Sequence, residues 1–177
     1  RYPMGQMLDF LIQVVETLEY LHDRGIVHAD VKPENMIVEP RGKVTLIDFG
    51  LSCPLGTKAQ SIRGTREYMA PEQVDQGWID ARTDLYNAAA SFYYLLTGRQ
   101  VTTLLPGSGG SGFFIVSRKI ETQPISELNP HVPRGVARAI MSCIDYEPDR
   151  RPSTAGDLLK ILRPVVEDFC QKQASAF

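Results

Sequence analysis

The chain has 177 residues, 43% hydrophobic and 23% charged, enough apolar material for one core of ordinary size and hence for a single domain over 1–177 with no metal or disulfide staple. Its 19 Lys+Arg against 21 Asp+Glu leave a formal net charge of −2, which excludes a bulk basic footprint for nucleic acid or an anionic membrane.

From Met7 the apolar positions Met7, Leu11, Val14, Leu18 and Leu21 recur at spacings of four and three, one face of an amphipathic helix. Gly25 supplies its stop. Ile26-Val27, Met36 to Val38 and Val44 to Ile47 are short apolar runs. The last two flank Glu39-Pro40-Arg41-Gly42, whose Pro and Gly predict a small hairpin. Between Phe49 and Met69 the sequence is rich in Gly, Ser, Thr and Lys without a period, which predicts an extended loop of the kind that carries function. Thr83 to Leu96 holds too many apolar residues for a surface stripe and reads as a helix buried nearly all round, ended by Gly98.

Gly107-Ser-Gly-Gly-Ser-Gly112 has the composition of a flexible engineered linker standing in place of a loop. A helix beginning near Pro133 carries Val136, Ile140 and Ile144 at spacings of four, and another after Ser153 is expected to turn Leu158, Ile161 and Leu162 inward. The C-terminal half is therefore helical. The most apolar stretch, Ala88 to Leu96, is too short to span a bilayer, and the N-terminus lacks a charged-then-apolar signal pattern. Cys53, Cys143 and Cys170 are far apart and never form CxxC, which points away from a disulfide framework or zinc cluster and toward a reducing, cytoplasmic setting.

His28-Ala-Asp30-Val-Lys32-Pro-Glu34-Asn35 gathers a carboxylate, an ammonium and an amide in one turn between two apolar runs. Phosphoryl transfer needs these parts, because it asks a protein to align an attacking hydroxyl and neutralise charge on phosphate oxygens. In that reading Asp30 orients the hydroxyl and accepts its proton, Lys32 serves as a point charge on the phosphoryl group, and Asn35 offers a hard oxygen to Mg²⁺. Asp48-Phe49-Gly50 follows a predicted strand. Asp48 is a second hard ligand for Mg²⁺, and Gly50 lets the backbone turn into the loop. Taken singly, Asp30 and Asp48 are ordinary turn or cap aspartates; the ordered set is what carries the chemistry.

That set resembles the C-terminal lobe of a eukaryotic-type protein kinase, a mainly α fold in which a helical bundle carries small β-hairpins at the catalytic and DFG loops. Residues 28–35 resemble the catalytic loop, Asp48 to Gly50 the DFG, and Ala70-Pro71-Glu72 the APE that closes an activation segment over 48–72. Asp84 resembles the aspartate opening the central helix, and Arg151 the arginine that pairs with the APE glutamate, here Glu72. The resemblance implies that His28 is structural, packing under Phe49, and that Met36 and Ile37 form an adenine floor. Lys32 with Thr65 is similar to the serine/threonine branch, where Thr65 would hydrogen-bond both Asp30 and Lys32. The implied activity is transfer of the γ-phosphate of MgATP to Ser or Thr hydroxyls of a protein substrate. Small-molecule phosphotransferases of related fold share the H-x-D-x-x-x-x-N loop but usually lack the Phe-Gly and the APE.

Two departures qualify the resemblance. Ala29 stands where most members have the arginine that clasps a phosphorylated activation loop, so activation by loop phosphorylation is not expected. Asn87 and Ala89 replace the usual Ser and Gly, a change expected to alter packing more than chemistry. Only 27 residues precede His28, so the glycine-rich loop, strand lysine and partner glutamate of the N-terminal lobe are expected from elsewhere, and the chain alone is expected to be inactive. The alternative is a non-catalytic, pseudokinase-like scaffold that docks a protein partner.

Overall fold

The computed structural model describes residues 2–106 and 114–175. Helix α1 (Met4–His22) buries Met7, Leu8, Phe10, Leu11, Val14, Val15, Leu18 and Leu21, the expected stripe widened by Leu8, Phe10 and Val15. The chain leaves it through Gly25 at φ +74°, a left-handed conformation that glycine adopts without a Cβ penalty. Strand β1 (Ile26–Val27) follows, then a 3₁₀ turn over Pro33–Asn35, and then the hairpin of β2 (Met36–Val38) and β3 (Val44–Leu46). Its antiparallel register pairs Met36 with Leu46 and Val38 with Val44.

The stretch expected as an aperiodic loop is tied down at two places. Strand β4 (Cys53–Pro54) pairs antiparallel with β1, and β5 (Thr57–Lys58) pairs with β6 (Trp78–Ile79). Two-residue strands leave no period to read, which is why composition showed only a loop. Between these strands lies the short helix α2 (Pro71–Val74).

Helix α3 (Ala81–Thr97) is the centre of the domain. Asp80 caps it by accepting from the Arg82 N–H at 2.8 Å, and Gly98 ends it at φ +73°. Twelve of its residues are buried, Tyr86, Phe92 and Tyr93 among them. Beyond it, β7 (Thr102–Pro106) and β8 (Phe114–Glu121) form an antiparallel ladder in which Pro106 faces Phe114. The Gly/Ser run at 107–112 lies outside the described residues, though the strands on either side of it pair.

The rest is helical: α4 (Ile125–Leu128), α5 (Arg134–Cys143) and α6 (Ala155–Ala174), with a 3₁₀ turn over Pro148–Arg150. Helices α1, α3, α5 and α6 share one apolar core. In α6 the inward set is Ala155, Leu158, Leu159, Leu162 and Val166. Ile161 corrects the expectation: it is 48% exposed, because at 100° per residue it falls outside the sector those five define.

One ion pair joins the activation segment to the C-terminal helices. Arg151 donates from both terminal nitrogens to Glu72, Nη1 to Oε1 and Nη2 to Oε2, each at 2.8 Å. Its Nε–H donates to the Asp145 carbonyl at 2.9 Å, and its guanidinium lies 4.8 Å from the centroid of the Tyr86 ring. Thr83 Oγ1 donates to Glu72 Oε1 at 2.8 Å. The arginine side chain is fully buried and that of Glu72 is 8% exposed. Removing one partner strands the other charge, so Arg151→Ala is expected to destabilise the fold by about 3–5 kcal/mol and lower the melting temperature by on the order of 10 °C. Lys172→Ala, which loses only an exposed bond to Asp168, is the control. Equal melting of the two variants would contradict the assignment.

Candidate active site

The catalytic loop is held by side chains from beneath it. Asp84, wholly buried in the first turn of α3, accepts from the His28 N–H at 2.8 Å and the Ala29 N–H at 2.7 Å. Its Oδ2 also lies 2.9 Å from His22 Nε2, so the helix-end histidine is part of the site's foundation. Ala29 takes φ +62°, a left-handed conformation that costs a residue with a Cβ on the order of 1–2 kcal/mol. The two charge-assisted bonds to Asp84 offset that strain.

His28 is buried, its ring centroid 4.8 Å from that of Phe49, with Nε2 3.1 Å from the Ile47 carbonyl. It thus joins the catalytic loop to the DFG. Asp30 follows, its N–H donating to His28 Nδ1 at 3.3 Å. Lys32 Nζ donates to Asp30 Oδ2 and to Thr65 Oγ1, both at 2.7 Å. Thr65 therefore reaches Asp30 through Lys32; no direct Thr65–Asp30 bond occurs among the described residues. Asn35 Nδ2 donates to the Asp30 carbonyl at 2.9 Å and to Asp30 Oδ2 at 3.1 Å. Oδ2 is thereby tied on two sides, while Oδ1 holds no hydrogen bond among the described residues. Beside Oδ1 stands Gly64 at φ +125°, where an added Cβ would lie 3.7 Å from it and 3.2 Å from Met69 Cγ.

With both amide hydrogens of Asn35 aimed at Asp30, its side-chain oxygen is left for a ligand. The Ile47 N–H donates to the Asn35 carbonyl at 3.0 Å, which brings Asn35 and Asp48 to the same end of the β2–β3 hairpin. Asp48 is exposed, at φ +64°, and accepts from the Gly50 N–H at 3.2 Å. One carboxylate and one amide oxygen beside open space fit Mg²⁺, which keeps several waters and completes its shell with substrate phosphates.

The adenine floor is corrected. Strand β2 alternates, so Met36 packs against the core with Val38, whereas Ile37 is 49% exposed on the opposite face. The two cannot line one surface, and only Ile37 faces outward.

The expectation for Asn87 is a change in packing more than in chemistry. Its Nδ2 donates to the Tyr68 carbonyl at 2.7 Å and to Gln73 Oε1 at 2.8 Å, so it makes polar contacts under the activation segment. Sequence reading also missed Gln73 and Ser91, whose Oγ donates to the Val31 carbonyl at 3.1 Å. A buried polar residue inside an apolar helix was the signal available for Ser91 and Asn87. Burial pushes the Tyr68 hydroxyl up to about 12, with Glu34, Tyr94 and Glu67 adding to the effect.

A pocket of about 300 Å³ is lined by Ala29, Cys53, Lys58, Arg63 and Gln73 among others. Burial raises the Cys53 thiol, against a lowering hydrogen bond with Thr57, so this cysteine stays protonated rather than activated.

Comparisons with known proteins agree with this geometry. The sequence profile of the family described as protein kinase domain matches residues 2–162. The chain is 30% identical to a probable serine/threonine-protein kinase of Clostridium perfringens, over 89% of this chain and 23% of that protein. It is 30% identical to the serine/threonine-protein kinase PrkC of Bacillus subtilis, over 86% and 24%. Against the serine/threonine-protein kinase pkn3 of Myxococcus xanthus it is 32% identical, over 85% and 30%. The chain spans between about a quarter and a third of the length of these bacterial relatives. On the match across most of its length, with the catalytic loop, DFG and APE glutamate placed as described, the chain belongs to the protein kinase domain family.

Proposed function

We propose that this chain supplies the catalytic loop and metal ligands for transfer of the γ-phosphate of MgATP to a Ser or Thr hydroxyl of a protein substrate. The observation that carries the reading is the Asp30 carboxylate. Lys32 and Asn35 hold Oδ2, while Oδ1 keeps its lone pairs beside Gly64. A substrate hydroxyl donating to Oδ1 would be oriented by a carboxylate that cannot rotate away. As its oxygen bonds to the γ-phosphorus, the bond to the bridging oxygen of ADP breaks and the hydroxyl proton passes to Asp30.

Lys32 shares one ammonium between Asp30 and Thr65 and has three N–H donors, so one remains for a phosphoryl oxygen. Asn35 and Asp48 would hold Mg²⁺, which neutralises charge on the phosphate oxygens. Ile37 offers the exposed apolar surface for adenine. The Lys32–Thr65 contact supports a Ser/Thr rather than a tyrosine substrate. Among the described residues no helix is long and apolar enough to cross a membrane; with ATP as donor and Cys53, Cys143 and Cys170 free, a cytoplasmic setting suits the reading.

The test is radiolabel transfer from ATP to a generic Ser/Thr substrate by the full-length protein that carries this chain. Asp30→Asn and Asp48→Asn are each expected to abolish at least about 99% of transfer while leaving the fold intact, since general-base positioning and metal binding each contribute on the order of 10²-fold or more. A full-length protein that stays silent, or an Asp30→Asn variant with wild-type rate, would favour a scaffold that docks a partner. Gly64→Ala, which forces a Cβ into a glycine-only conformation next to Asp30, should destabilise by about 1–3 kcal/mol and reduce turnover. Thermal melts together with kcat check both effects.

A further inference from the structure

Ala29 is gripped at both ends. Its N–H goes to Asp84, and its carbonyl accepts from Gln73 Nε2 at 2.8 Å. That carbonyl shares a rigid peptide plane with the N–H of Asp30, so whatever fixes its direction also fixes where the Asp30 side chain leaves the backbone. We propose that Gln73 is a positioning residue for Asp30, acting through the Ala29 carbonyl, and that Asn87 sets the direction in which the Gln73 amide points. This rests on the phosphotransfer reading above.

The direction of the Gln73 amide is determined by its surroundings. Oε1 accepts from the Ala70 N–H at 2.9 Å and from Asn87 Nδ2 at 2.8 Å. A flipped amide would set oxygen against the Ala29 carbonyl and N–H against two donors. Asn87 is fixed likewise, because its Nδ2 also serves the Tyr68 carbonyl, and a flip would place oxygen against two acceptors. The arrangement leaves Asn87 Oδ1 buried without a partner. A buried unpaired acceptor is unfavourable, so its presence marks how much of this site is organised around the donor. Gln73 and Asn87 are 4% and 2% exposed, which limits competition from water for their bonds.

The grip matters because Ala29 sits at φ +62°, where alanine does not rest by itself. With the carbonyl released, Ala29 is free to relax toward negative φ, which turns the peptide that joins it to Asp30. Oδ1 of Asp30 would then move relative to Gly64 and the incoming hydroxyl, and displacements of about 1 Å can lower rates by on the order of a hundred-fold. Neither Gln73 nor Asn87 touches substrate in this scheme. Both act through the backbone.

The experiment uses the full-length protein and Gln73→Met, which keeps length and apolar volume but removes donor and acceptor. Kcat is expected to fall by about ten- to a hundred-fold, with KM for ATP and for peptide changed by no more than about two-fold, because the nucleotide surface and metal ligands are left in place. Peptide-resolved amide exchange should quicken over residues 28–31 and not in α6. Ala29→Gly added to Gln73→Met should recover several-fold in kcat, since glycine takes positive φ without a steric penalty. A packing role would not give that rescue. Should Gln73→Met fail to fold, Asn87→Ala keeps Gln73 and removes the donor that orients it, and a smaller loss with the same exchange signature is expected. A folded variant with wild-type kcat and wild-type exchange would overturn the proposal, as would a loss that Ala29→Gly leaves untouched. If the unsubstituted protein transfers no phosphate, the phosphotransfer reading fails by itself; exchange over 28–31 then decides whether Gln73 holds the loop, and unchanged exchange rejects that too.

Discussion

The catalytic loop depends on one buried carboxylate. Asp84 has no exposed surface, and a charge in that position is tolerable only where hydrogen bonds replace the water it has lost. The N–H groups of His28 and Ala29 and the ring of His22 supply them. The dependence runs both ways. Without the loop the carboxylate would be stranded inside the protein, and without the carboxylate two buried N–H groups would lack acceptors while Ala29 kept its left-handed strain. Because Asp84 belongs to the most deeply buried helix, the loop inherits the rigidity of the core.

A second polar contact ties down the start of the same helix. Glu72 and Arg151 are 79 residues apart, yet their pairing, with Thr83 bonded to the same carboxylate, clamps the end of the activation segment onto α3 and the C-terminal helices. Helix α3 is thus contacted by the catalytic loop at Asp84 and Ser91, and by the activation segment at Thr83 and Asn87. The two segments are thereby held in register, and Lys32 from one and Thr65 from the other meet beside Asp30.

Much of this was legible in the sequence, for physical reasons that differ by element. Helix α1 and the helices after Pro133 and Ser153 follow apolar spacing, and the β2–β3 hairpin follows its turn residues. Asp30, Lys32, Asn35 and Asp48 stand out as candidates because their types and order match the needs of a phosphoryl group, and the roles proposed for them rest on that match. The partnership of Glu72 with Arg151 came from the resemblance alone. What escaped was set by tertiary geometry: spacing in one dimension put Ile161 inside, and the resemblance put Met36 beside Ile37 on one floor when a strand sends them to opposite faces. Likewise, Asn87 read as a packing change because nothing local says that the carbonyl of Tyr68 and the side chain of Gln73 lie within its reach. His22 ends helix α1, and its contact with Asp84 spans 62 residues, beyond the reach of any local pattern.

The claim that Asp84 organises the catalytic loop is tested most directly by peptide-resolved amide exchange on Asp84→Asn. The substitution keeps size and shape but turns one oxygen into a donor facing a backbone N–H. The account predicts that exchange over residues 28–31 rises by at least about ten-fold, equivalent to about 1.4 kcal/mol of lost protection, while α6 exchanges as before. Catalytic-loop protection equal to that of the unsubstituted chain would contradict it.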